Sequence, residues 1–219
     1  MILPILFFIA SSSLLVHSYD ILIHHLDDNT PNFSTLNDIK KHYVVKNLIK
    51  TVYLCILVIM GFPLLVLSFS NYFPNTMIKI MASLYCSNDI VGLYKVKKLP
   101  TSTRLHHITT VVFLLMALVT DFQTNRIAQM LFYYTYFSAV AFPVNAYLGL
   151  RYCFDESDIH QIKFLAKHVY PVTCFFNWIV QFYMVGSTFY DVAYTFLIIF
   201  IVYDDIILLR WLWKENAEI

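Results

Sequence analysis

Seven apolar runs of bilayer-crossing length dominate the chain, at about 2–18, 48–70, 77–94, 105–121, 127–150, 162–186 and 190–213. A hydrocarbon core about 30 Å thick takes ~20 helical residues to cross, and lipid accepts only backbones whose polar groups are satisfied internally. Seven such runs in 219 residues, 59% of them hydrophobic, leave no length for a soluble domain. The chain is therefore expected to be all-α, a polytopic membrane helix bundle. The third run is the least apolar, because Ser83, Ser87, Asn88 and Asp89 interrupt it. Short connections between the later runs predict antiparallel neighbours in a compact bundle.

Residues 24–47 differ: they are polar, contain Pro31 and read as a cytosolic loop or surface helix. The chain so divides into an N-terminal transmembrane helix (1–23), this polar segment (24–47) and a six-helix membrane domain (48–215). The first run also resembles the apolar region of a signal peptide. It has no preceding Lys or Arg and no defined cleavage site, which favours a retained helix.

Charge orients the bundle. One side collects Lys40, Lys41, Lys46, Lys50, Lys95, Lys97, Lys98, Arg104, Arg151, Lys163, Lys167, Arg210 and Lys214; the other keeps Lys79 and Arg126. Cytosolic loops are the ones enriched in Lys and Arg, so residues 24–47 and the C-terminus are expected in the cytosol. The sequon Asn32-Phe33-Ser34 is then expected to be unused. A net charge of +1 gives no footprint for nucleic acid. The four cysteines form no CxxC pair and no zinc-ligand spacing, so no metal is expected. Cys153, near a membrane boundary, reads as a packing residue, with palmitoylation as the alternative.

Ionisable groups in hydrocarbon are expensive and mark polar sites. His106 and His107 open the fourth run, and Asp89 lies in the run before it. These three are the candidate catalytic residues. Asn145, His168, Asp204 and Asp205 lie at similar depth and are the candidate substrate-binding residues. Successive helical residues sit ~100° apart, so at most one of the two histidines is expected to point straight at a given site. One of Asp204 and Asp205 is expected to face headgroups or a basic neighbour such as Arg210. Tyr133, Tyr134 and Tyr136 read as packing residues. Pro63, Pro143 and Pro171 read as helix kinks.

Three pieces together resemble the TLC-domain family of membrane proteins. They are Tyr85-x-x-x-Asp89, then His106-His107-Ile108-Thr109-Thr110, then Asn125-Arg126-Ile127 followed by the helix FPVNAYLGLRY at 142–152. The resemblance covers roughly residues 40–215. It implies a six-helix core with both ends cytosolic, an endoplasmic reticulum location and work on lipids. Ceramide synthases of this family use the HH motif with paired aspartates in the following helix. Here those aspartates would fall near Tyr134 and Phe137, where the chain has no acid. The chain thus looks closer to the TLC-domain-only branch, linked to phospholipid composition and lipid trafficking.

Two functions stay open at the level of sequence. One is an acyl-CoA-dependent lipid acyltransferase acting on a sphingoid base or lysolipid. Its base or nucleophile would be a histidine oriented by Asp89 or Asp205. Acyl-CoA would be a co-substrate, with no bound cofactor. The other is a non-catalytic lipid-binding, sensing or trafficking protein. Partners implied are membrane lipids and a second copy of the chain as a homodimer. A channel is disfavoured, since no run carries a row of charges or a filter-like Gly sequence.

Overall fold

The computed structural model describes residues 2–214, all helix, turn or loop. The last residues, Ala217-Glu218-Ile219, read as no retrieval signal, lie outside them, as does the domain end set at 215. The described helices are α1 (Ile2–Asn29), α2 (Pro31–Ser34), α3 (Asp38–Ser68), α4 (Asn75–Lys95), α5 (Thr101–Val119), α6 (Arg126–Val140), α7 (Phe142–Leu150), α8 (Glu156–Met184) and α9 (Phe189–Lys214). Five spans are long and apolar enough to cross a membrane: α1, α3, α5, α6 with α7, and α9. Helices α4 and α8 occupy the third and sixth apolar runs and carry more polar residues.

The faces of α3 show why this sequence suits lipid. Lys50, Leu54, Leu57, Gly61, Leu64 and Ser68 are buried at helical spacing. Val52, Ile56, Ile59, Phe62 and Val66 are exposed on the opposite side. An outer face as apolar as the inner one would be a liability in water and is the requirement in a bilayer.

Six helical units close a ring. Helix α3 packs on α4, α4 on α5, α5 on α9, α9 on α8, α8 on α6 and α7, and α6 and α7 return to α3. Helix α1 lies outside, along α4 and α3. Its Asp20 meets Lys95 at 2.9 Å, and its Asp27 meets Lys41 at 2.5 Å. The ring is filled unevenly. Helix α6 reaches inward to touch α4 and α5 as well. Its Met130, Phe132 and Tyr134 join Met81, Phe113, Phe122, Tyr194 and Ile201 in a fully packed core. Pro143 lies in the first turn of α7, where its missing N–H costs least, and the chain breaks at Ala141. This break ends α6 rather than kinking one helix, and it leaves the other half of the ring open. Pro63 and Pro171 do lie inside continuous helices.

The polar segment 24–47 takes the helical of its two readings over most of its length. Only residues 30 and 35–37 lie outside helix. Asn37 caps α3 by accepting a 3.0 Å bond from the Lys40 N–H, so α3 begins ten residues before the second apolar run. That extension carries Tyr43, Lys46 and Asn47 into the bundle.

Association in lipid rests on close packing rather than on water exclusion. Gly149 shows this where α7 meets α3: a Cβ there would lie 2.7 Å from Leu48 Cδ2 and 3.3 Å from the Val44 carbonyl oxygen. Gly149→Ala is expected to cost about 1–3 kcal/mol by overpacking. Thermal unfolding in detergent would show it as a lowered midpoint. Gly92→Ala is the milder control, since its added carbon meets only the Lys46 stem, at 3.4 Å.

Candidate active site

The open half of the ring holds a cavity of about 300 Å³. Its walls come from the first half of α3, the start of α5, the α6–α7 break, the middle of α8 and the second half of α9. All are helix segments from the end where the basic residues collect.

Asp89 is the anchor of one wall. It is 0% exposed and lies on α4, behind His107 rather than at the cavity surface. Lys50 Nζ of α3 donates to its Oδ1 at 2.7 Å. His107 Nδ1 of α5 lies 2.9 Å from the same oxygen. The Thr110 hydroxyl donates to Oδ2 at 3.0 Å. One buried carboxylate so ties three helices, at the least apolar stretch of the third run.

The second histidine has its own acid. His106 Nδ1 lies 3.3 Å from Asp204 Oδ2, and its Nε2 lies 3.3 Å from the Tyr134 hydroxyl. Thr103 donates to Asp204 at 3.1 Å. Asp205, the next residue on α9, turns toward α8 instead. There the Tyr170 hydroxyl donates at 2.9 Å and the Trp178 indole N–H at 3.2 Å. The two histidine rings meet edge to face, with centroids 5.5 Å apart.

These positions revise several expectations. Both histidines line the cavity, although their directions differ by about a quarter turn. The cavity spans a wide arc of α5, so it receives both. Asp204 and Asp205 both line the cavity, and the basic neighbour that Asp204 meets is His106 rather than Arg210. Asn145 and Asn177 line the cavity. Tyr134 is a core residue that also contacts His106. His168 falls outside the cavity lining: it is exposed on α8, its Nδ1 lies 2.8 Å from the accepting Phe164 carbonyl oxygen, and its ring packs on that of Phe164.

Compared with family models, with curated proteins and with solved structures, the chain matches none. The chemistry of the site is therefore argued from its own atoms.

A serine-hydrolase-like use of histidine needs one ring nitrogen held by an acid and the other left for the reacting group. His107 meets the second condition and, through a 2.9 Å ion-pair contact without hydrogen-bond geometry, approaches the first. Its Nδ1 is beside Asp89, and its Nε2 has no hydrogen-bond partner among the described residues. Nε2 is buried, so a reacting group reaches it by inserting into the wall and not from the open middle. Asp89, His106 and His107 also each offer one ligand atom within 4.8 Å of the others, a spacing that suits a metal ion. The Lys50 ammonium already occupies the Asp89 Oδ1 side, and a divalent cation would have to displace it.

Lys46 and Lys50 are what the sequence reading missed. They were counted as flanking charge, yet they are 4% and 7% exposed and line the cavity. The available signal was their four-residue spacing behind an N-cap, with Val44, Val45, Leu48 and Ile49 between and around them. Cys153 is 3% exposed, and its thiol points to the Gly149 carbonyl oxygen at 3.8 Å. Burial pushes its pKa up to about 11, which keeps it a thiol at neutral pH and supports the packing reading over acylation.

Proposed function

We propose that this multipass membrane protein transfers an acyl group from a thioester such as acyl-CoA to the amine or hydroxyl of a membrane lipid. The observation that carries the reading is the His107–Asp89 pair at 2.9 Å, with Nε2 unclaimed, in the wall of a cavity inside a lipid-facing bundle. In this reaction His107 Nε2 takes the proton of the acceptor N–H or O–H as that atom attacks the thioester carbonyl. The C–S bond then breaks, and the departing thiolate takes the proton back from His107. The products are an acylated lipid and free thiol. Asp89 positions the ring and stabilises the imidazolium that forms. His106, held between Asp204 and Tyr134, is a second histidine at the site.

The apolar wall formed by Phe137, Leu148, Ile207, Leu208 and Trp211 suits the hydrocarbon nearest the reacting carbon. At about 300 Å³ the cavity is at the small end of ligand sites, which span ~300–1,000 Å³. The remaining chain would run out between helices into lipid. Residence in the endoplasmic reticulum with the C-terminus in the cytosol is the location that fits a cytosolic thioester donor. The sequence resemblance to TLC-domain proteins points to lipid work, and the missing aspartate pair at Tyr134 and Phe137 favours the non-catalytic alternative, a lipid-binding or trafficking role. One structural observation favours it too: the unclaimed Nε2 is itself buried.

The two readings part in one experiment. Purified protein is incubated with radiolabelled long-chain acyl-CoA and a panel of sphingoid bases and lysolipids. Transfer of label to one acceptor class, with release of free thiol, is expected. Label that co-purifies without any product, equally in wild type and His107→Ala, would favour the binding role.

A further inference from the structure

Lys46 is a buried charge with no acid of its own. It lines the cavity at 4% exposure, and its stem passes over Gly92. The charges that act on it are Lys50, Asp89 and Asp204. Both carboxylates are already engaged. Asp89 is held by Lys50, His107 and Thr110. Asp204 is held by His106 and Thr103. Among the described residues, no carboxylate lies within ion-pair distance of the Lys46 ammonium. Lys50 sits one helical turn further on the same face and adds repulsion. Buried charges in folded proteins are otherwise paired or coordinated.

A second cation faces the same space. Arg151, where α7 ends, lines the cavity, with its guanidinium carbon 4.4 Å from the Trp211 ring centre and 4.7 Å from that of Tyr152. Aromatic rings hold a guanidinium in one plane, and that planar fork matches the oxygens of a phosphate. Tyr43 and Ser102 are part of the same lining.

We propose that this cavity contains a phosphate-ester subsite, with Lys46 as its charge partner and Arg151 as a second cation of the same lining. The ligand is thus an amphiphile or cofactor bearing a phosphate. That phosphate belongs either to a lipid headgroup or to a soluble nucleotide-type thioester donor. The subsite goes beyond the acyl-transfer reading and does not depend on turnover. Binding without product would sink that reading and leave this one standing.

The test uses the full chain in an uncharged maltoside detergent and reads the thermal unfolding midpoint. Coenzyme A, lysophosphatidic acid, inorganic pyrophosphate and the uncharged lipid monoacylglycerol are the probes. At least one phosphate-bearing probe is expected to raise the midpoint of the wild type, and monoacylglycerol is expected to do so less. A rise with coenzyme A alone assigns the phosphate to a soluble donor; a rise with lysophosphatidic acid alone assigns it to a lipid. Lys46→Met is expected to weaken that binding at least tenfold, and Lys46→Arg to retain most of it. Without ligand, Lys46→Met is expected to unfold no earlier than wild type, because it removes an unpaired charge at nearly constant volume. No midpoint rise in the wild type with any phosphate-bearing probe overturns the proposal, whatever the variants do. So does an undiminished rise in Lys46→Met.

Discussion

Asp89→Ala is expected to destabilise the folded bundle more than any other single change, by about 3–5 kcal/mol. The substitution removes the one carboxylate that holds Lys50, His107 and Thr110. It leaves the Lys50 ammonium buried without a partner, and it opens a void between α3, α4 and α5. Reversible unfolding in detergent should show the loss as a lower midpoint. The cost is one of mismatch and not of the pair's absence, so the pair can be removed together. Asp89→Leu with Lys50→Met is expected to recover most of the stability, since a buried ion pair replaced by packed apolar groups is often neutral. A double variant as unstable as Asp89→Ala would show that Asp89 acts through something other than Lys50.

The second large effect concerns the chemistry. His107→Ala is expected to lower the acyl-transfer rate by about 10²–10⁴-fold, the usual contribution of a positioned acid–base group. The bundle should remain folded, because Lys50 and Thr110 still hold the Asp89 carboxylate when the His107 ring and its Nδ1 contact are lost. Asp204→Asn is expected to have a smaller effect: it keeps a polar group 3.3 Å from His106 and leaves the His107–Asp89 pair intact. A larger loss in Asp204→Asn than in His107→Ala would exchange the roles of the two histidines.

How legible these parts were in the sequence follows from what each depends on. The helical runs depend on apolar length, which the sequence states directly, and each of the seven corresponds to a helix or to the α6–α7 pair. Site residues depend on depth and rotation. Depth can be counted from the end of a run, and it placed Asp89, His106, His107, Asn145, Asp204 and Asp205 at one level. Rotation is set by which neighbours a helix packs against. The reading therefore placed His168 wrongly at a helix face turned to the outside, and it could not foresee that Asp204 and Asp205 would serve different helices.

The lysines failed for a different reason. A lysine beside an apolar run looks like flanking charge, and for Lys40 and Arg104 exposure agrees with that view. For Lys46 and Lys50 the helix begins earlier, at the Asn37 cap, and turns them inward. The orientation inferred from charge loses these two residues and rests on the remaining eleven of its thirteen. Asp89 lies in the least apolar run yet is fully buried. Helix α1 lying along α4 is part of what encloses this run.

The central claim is that the wall containing His107 performs acyl transfer on lipid. Its most direct measurement follows thiol release and label transfer together, in wild type and His107→Gln, with the acceptor that gives product. The account predicts equal amounts of thiol and acylated lipid from the wild type, and both reduced by the same large factor in His107→Gln. Equal rates in the two proteins, or thiol release with no acylated lipid, would contradict it.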